Sequence, residues 1–278
     1  MSALNAASPV TVWSKPFSGP NSENVWAPEL HYLDNKWYLY FTAGSDNVDI
    51  SQRIFVLENS AADPTTLSWI ERGQIKDPEN DFWAIDGNVF EYKGNRYLAW
   101  SGHPTLTDLS QHLYIGRLTN PWTLASTRVE ISSPTFDWEK FGAPPAVNEA
   151  PEMIISPAGR LLLIYSASGC WTDNYSMGML QLREGGNPLV SSDWIKNPNP
   201  VFTSKPDNGA FGAGHCAFFK SPDGTQDWFL YHANPAARLG CGDTRNPRMQ
   251  QFVWNSDGSP NFGEPAKINS ATPKPSGE

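Results

Sequence analysis

The chain has 278 residues and a formal net charge of −9, with 13 % aromatics, 12 Trp, 24 Pro and 22 Gly. Charged residues make up only 18 %, which excludes disorder over most of the length, and the acidic balance argues against a nucleic-acid or anionic-membrane partner. No apolar run reaches the ~20 residues of a membrane span.

Read in order, the first eight residues lack the basic segment and long apolar core of a secretion signal, so localisation stays unassigned. Val10–Trp13 reads as a short strand. A first repeat follows: Ala27–Leu33, a turn at Asp34-Asn35-Lys36, then Trp37–Ala43, with further strands at Arg53–Leu57 and Leu67–Gly73. The second runs from Asp86 through Asn88–Tyr92, the turn Lys93-Gly94-Asn95 and Arg96–Ser101, with later strands at Leu113–Leu118, Pro121–Leu124 and Arg128–Ile131. Gly and Asn tolerate positive φ, which makes such tripeptides hairpin turns.

The third repeat spans Asn148–Ile155, a turn at Pro157-Ala158-Gly159, Arg160–Ser168 and Ser176–Leu182. The fourth spans Gly214–Phe219, a turn at Asp223-Gly224, Trp228–Asn234 and Arg248–Trp254. Glu29, Asp86, Glu149 and His215 hold similar places, roughly 60 residues apart, the period of an array built from one supersecondary unit. About four strands per unit, opened by a polar residue, is the pattern of a propeller blade. Residues 1–268 are therefore expected to form a single all-β propeller domain, and the Ser/Pro/Gly-rich tail 269–278 to fray. Cys170, Cys216 and Cys241 are odd in number and lack metal-type spacing, so unpaired thiols are expected ahead of a single bridge.

Taken alone, these residues also have ordinary readings. Asp86 before Gly87 is a common turn pair, Glu149 a loop carboxylate and His215 a core histidine. Most of the Trp residues pack between blades, although Trp26 and Trp171 could equally stack on a sugar face.

The motifs Asn24-Val25-Trp26-Ala27-Pro28-Glu29, Trp83-Ala84-Ile85-Asp86-Gly87, Val147-Asn148-Glu149-Ala150-Pro151 and Gly212-Ala213-Gly214-His215 occur in order at blade spacing. Tyr165–Ser168 and Tyr231–Pro235 follow the last two. Together they resemble glycoside hydrolase family 43, five-bladed β-propeller arabinofuranosidases, arabinanases and xylosidases, and most of all its exo-acting α-L-arabinofuranosidases of arabinan. The resemblance implies a hydrolase that releases terminal L-arabinofuranose from arabinan or arabinoxylan oligosaccharides with inversion, acting as a monomer.

In that reading Glu149 matches the general acid. Asp86 matches the carboxylate that orients the acid and raises its pKa, since a nearby negative charge disfavours ionisation. His215 matches a histidine beside a bound cation, Ca2+ first, and the chemistry itself requires no cofactor. Arg245 or Arg248 matches an arginine that reaches the sugar, while Trp26 and Trp171 are candidate sugar platforms. The family's general base is an Asp in the opening strand of the first blade. Here no acidic residue precedes Glu23, and the first Asp is the turn residue Asp34. The expectation is thus a five-bladed propeller with an incomplete first blade. The alternative is a truncated or non-catalytic carbohydrate-binding propeller.

Overall fold

The computed structural model describes residues 8–45 and 49–278; residues 1–7, where the expected domain opens, lie outside them. The chain divides into two compact units, residues 1–109 with 113–130 and residues 110–112 with 131–278.

The first unit holds two sheets. One is ordered β1 (Glu23–Leu33), β2 (Lys36–Gly44), β3 (Arg53–Asn59), β4 (Ile70–Gln74). The other is ordered β5 (Ala84–Tyr92), β6 (Asn95–Gly102), β7 (His112–Asn120), β8 (Thr123–Leu124), with β9 (Val129–Ser132) also pairing β7. The first hairpin of each sheet closes through two residues of positive φ, Asp34-Asn35 (51° and 61°) and Lys93-Gly94 (47° and 75°). This is the backbone whose twist matches that of the flanking strands. Alternation in β2 and β6 then places Tyr38, Tyr40, Leu98 and Trp100 in a shared apolar core with Ile54, Val56 and Val89.

The second unit repeats the design. Its sheets are β10 (Asn148–Ile155), β11 (Leu161–Ala167), β12 (Ser176–Leu182), β13 (Trp194–Lys196), and β14 (Phe211–Lys220), β15 (Asp227–Asn234), β16 (Asn246–Trp254), β17 (Pro260–Asn261). β11 is buried at every position, a both-faces-covered strand that reads as a continuous apolar run. Phe202, Phe229, Tyr231, Phe252 and Phe262 form an aromatic core with Ile164, Met177 and Met179. Among the described residues helix is limited to single 3-10 turns, such as Asp137–Glu139. No helix there is long and apolar enough to cross a membrane.

Among the described residues there are four blade-type sheets, an arrangement compatible with a further, incomplete blade, and Val10–Trp13 forms no strand. A lone four-residue strand gains little without a paired edge. Side-chain contacts anchor this segment instead: the Trp13 ring packs 4.9 Å from Phe41, and its indole N–H donates to Glu71 Oε1 at 2.7 Å. The tail is docked near its end. Pro275 is buried, the Ser276 amide donates to Gln226 Oε1 at 3.0 Å, and its hydroxyl donates to Asp223. Cys170 and Cys241 are joined, and Cys216 is a buried thiol outside that bond.

A buried charge holds the outer part of the first sheet. Glu58 on β3 is 2 % exposed and accepts from Lys36 Nζ (2.7 Å), Arg72 Nη2 (2.9 Å) and the Tyr38 hydroxyl (3.1 Å). Burial alone would raise its carboxyl, but Arg72, Lys36 and Tyr38 outweigh it and bring it down to about 2. A depressed carboxylate stabilises fully above its unfolded value and loses that contribution as pH falls through the folded one. After discounting for the solvent-facing ends of Lys36 and Arg72, the contribution is about 1–2 kcal/mol. Glu58→Gln is expected to remove it at pH 7 and to flatten the loss of stability between pH 5 and pH 2. Urea titrations across that range check this.

Candidate active site

The first strand of each blade carries the same local distortion. The ladder slips by one residue between Trp26 and Glu29, Ile85 and Asn88, Glu149 and Glu152, and Gly214 and Ala217. Within each slip one non-glycine residue is left-handed: Ala27 (φ 42°), Asp86 (55°), Ala150 (49°) and His215 (50°). Such a bulge re-aims a side chain, and a left-handed non-glycine residue costs energy that persists mainly at functional positions. The sequence alignment of Glu29, Asp86, Glu149 and His215 is therefore corrected. Asp86 and His215 are equivalent, Glu149 lies one residue before its bulge residue, and Glu29 lies two after.

In the first unit Asp86 is 4 % exposed, and its amide donates to Thr42 Oγ1 at 3.2 Å. Two residues on, Asn88 donates to Glu29 Oε2 at 3.0 Å, and the same oxygen lies 2.8 Å from His31 Nε2. Trp26, half-buried, sits opposite Thr42 in the β1–β2 ladder.

In the second unit the Tyr175 hydroxyl donates to Glu149 Oε1 at 2.7 Å. Tyr175 is almost fully buried, and its ring stacks on His232, with centroids 5.8 Å apart and planes 7° apart. That approach needs Gly214, because a Cβ there would fall 2.4 Å from Tyr175 Cε1. His215 donates its amide to Ser166 Oγ at 2.8 Å, and its ring centroid lies 6.0 Å from His232. Burial first, then the neighbouring His215 and Arg245, push the His232 imidazole down to about 3. It is therefore neutral in any ordinary buffer, and its Nε2 lies 3.2 Å from Arg245 Nη1.

The two arginines separate clearly. Arg248 is 8 % exposed and donates to the carbonyls of Ala266 and Gly209, so its guanidinium is committed to the main chain. Arg245 is half-buried beside His232. Trp171 is 44 % exposed and follows Cys170, whose bond to Cys241 ties this loop to the loop leading into Arg245. Sequence reasoning missed Tyr175. Its only signal was a tyrosine in the polar stretch Thr172-Asp173-Asn174 ahead of β12, which reads as loop composition.

Blades whose first strands each carry a strained left-handed residue, the buried Asp86 and the half-buried His215 among them, define a bladed all-β protein with titratable groups at its strand starts. Residues 1–260 match the pattern of glycosyl hydrolases family 43, and the chain belongs to that family. It is 40 % identical over 270 residues to an extracellular exo-α-(1→5)-L-arabinofuranosidase of Streptomyces avermitilis, covering 95 % of this chain and 55 % of that protein. A protein of the same description from Streptomyces chartreusis is 37 % identical over 234 residues, 84 % of this chain and 70 % of that one. The crystal structure of an α-L-arabinofuranosidase from Lactobacillus brevis superposes with a TM-score of 0.89 at 35 % identity, covering 97 % of this chain and 85 % of that one. The chain spans about half the length of the Streptomyces avermitilis relative.

Proposed function

We propose that this chain releases terminal L-arabinofuranose from arabinan or arabino-oligosaccharides with inversion, with Glu149 as general acid and Asp86 as the carboxylate that modulates it. The observation that carries the reading is Glu149 at a left-handed bulge, its carboxyl met by the buried Tyr175 hydroxyl at 2.7 Å. The names of the relatives point to the same substrate. The Cys170–Cys241 bond suits an oxidising compartment, as expected of a protein acting on extracellular polysaccharide. Incubation with 1,5-α-arabinotriose, with products separated by chromatography and the first anomer read by proton NMR, tests the proposal. Arabinose appearing first as the β-anomer is expected. Arabinobiose as the main product, a first α-anomer, or preference for a xyloside would each reject it.

A second reading, sugar binding without turnover, is favoured by the state of the early carboxylates. An inverting enzyme needs a base ~6.5–9.5 Å from the acid. Glu23 pairs with Lys15 at 2.6 Å, Glu29 is held by His31 and Asn88, and Asp34 forms a bidentate pair with Arg96, both bonds 2.8 Å. Calorimetric titration with arabinotriose beside the release assay separates the readings, since heat without released sugar selects the second.

Arg245 is the arginine we assign to the sugar. Arg245→Ala is expected to raise KM about tenfold with little change in Tm. Arg248→Ala is expected to lower Tm, because the carbonyls of Ala266 and Gly209 lose a charged donor worth about 1–3 kcal/mol each. Steady-state kinetics and thermal unfolding of both variants check the assignment. A cation beside His215, Ca2+ first, belongs to the same proposal. Hard cations prefer oxygen ligands, so the imidazole would orient a water of the ion's shell. Chelation followed by Ca2+ add-back, read as a thermal shift, tests it.

A further inference from the structure

Beneath Glu149 lies a polar cluster whose two charged members, Glu139 and Lys196, stand outside the family motifs and the proposed chemistry. Glu139, fully buried at the end of the 3-10 turn Asp137–Glu139, accepts at Oε2 from the amides of Thr135 and Phe136, both at 2.8 Å. Its Oε1 accepts from Lys196 Nζ at 2.6 Å, the Tyr165 hydroxyl at 2.9 Å and Asn148 Nδ2 at 3.0 Å. Asn148 is held at its other end too, since its Oδ1 accepts from the Ser132 hydroxyl at 2.9 Å and Lys196 Nζ at 3.4 Å. The hydroxyl of Tyr165 has room because Gly178 faces it across the β11–β12 ladder; a Cβ there would fall 2.3 Å from Tyr165 Cζ.

The charge state of the pair follows from its surroundings. Burial would raise the Glu139 carboxyl, yet Lys196, the Phe136 amide and Tyr165 more than offset that and keep it below the usual range. Burial lowers Lys196, with Glu139 opposing. Two charges thus sit in a place where apolar residues of similar volume would stabilise as well or better, because desolvating an ion pair costs several kcal/mol per ion. What the cluster provides is fixity. Both ends of the Asn148 carboxamide are clamped on one side of β10, and the next side chain, Glu149, leaves from the other side. Ala150, the strained bulge residue, follows at once.

We infer that Glu139 and Lys196 are positioning residues for Glu149, acting through the clamped Asn148 carboxamide to hold the start of β10 in the orientation that aims the acid. The inference rests on the reading of Glu149 as the general acid. Misplacing a reacting group by about 1 Å costs on the order of 10²-fold in rate. The loss appears where proton donation matters most, on a poor leaving group.

The test compares the unaltered chain with Lys196→Met, Glu139→Gln and Glu149→Gln on 1,5-α-arabinobiose and on 2,4-dinitrophenyl α-L-arabinofuranoside, whose leaving group needs no proton. For Lys196→Met and Glu139→Gln the expected result is a kcat loss of roughly 10- to 100-fold on arabinobiose, KM within about twofold, and a loss under about threefold on the aryl glycoside. Equal losses on both substrates, or a lower Tm with unchanged kcat per folded molecule, would overturn the inference. A leaving-group-dependent loss in Glu149→Gln without one in the Lys196 and Glu139 variants sinks the inference alone. No such loss in Glu149→Gln, or no turnover by the unaltered chain, removes the acid assignment and the inference with it. Should Lys196→Met fail to fold, Tyr165→Phe, which deletes one hydrogen bond to Glu139, carries the same comparison with the same outcomes.

Discussion

Glu149→Gln should lower turnover of arabino-oligosaccharides by about 10³-fold while the 2,4-dinitrophenyl glycoside is cleaved within about tenfold of the unaltered rate. Glutamine keeps the shape of the side chain and can still meet the Tyr175 hydroxyl, now at its amide oxygen, so the strand start is disturbed little. What it cannot do is give a proton to the departing sugar oxygen. An alkoxide-like leaving group therefore waits on solvent, whereas a dinitrophenolate leaves unaided. The asymmetry matters more than the size of the drop: equal loss on both substrates would mean that Glu149 supports binding or structure, and the acid assignment would go. Asp86→Asn belongs in the same series, with a smaller loss expected on the proposed reading, in which it removes a modulating charge and leaves the donor in place.

Breaking the Cys170–Cys241 bond is expected to be the largest single loss of stability. The two cysteines are 71 residues apart, and closing a loop of that length in the unfolded chain is worth about 4 kcal/mol in the chain-entropy account. For a unit of this size that corresponds to a fall in Tm of roughly 10 °C. Cys170→Ser with Cys241→Ser, or reduction of the unaltered protein, should produce the same shift in a thermal scan. A change under about 2 °C would show that the loops hold without the bond. A rise in KM is expected alongside, because Trp171 and Arg245 both depend on the joined loops.

Hairpins were easy to read because strand composition and turn chemistry agree at each of them. Trp37 to Ala43 is a run of aromatic, aliphatic and β-branched residues, and Asp34-Asn35 tolerates the left-handed turn, so β1 and β2 fall close to where composition puts them. β10 and β12 keep the expected limits. The bulges were not legible, because the left-handed residues are Ala27, Asp86, Ala150 and His215, none of them the glycine that announces such a conformation. That is why Glu149 was aligned one position off. β13 is three residues long, too short to show a period, and its register comes from β12. The bond between Cys170 and Cys241 joins loops whose meeting depends on how β11 and β15 pack within one unit. Glu139 and Lys196 drew no reading at all, because they sit in no shared motif and only the fold brings them to 2.6 Å.

The neutrality of His232 reaches further than its own titration. Burial, first of all, holds the imidazole far below its usual value, at about 3, so in neutral and mildly acidic media the contact with Arg245 is a bond between a cation and a lone pair. Mild acidification therefore leaves the guanidinium on its mounting, so any change in the protein's behaviour between neutral and mildly acidic media has to originate in other groups.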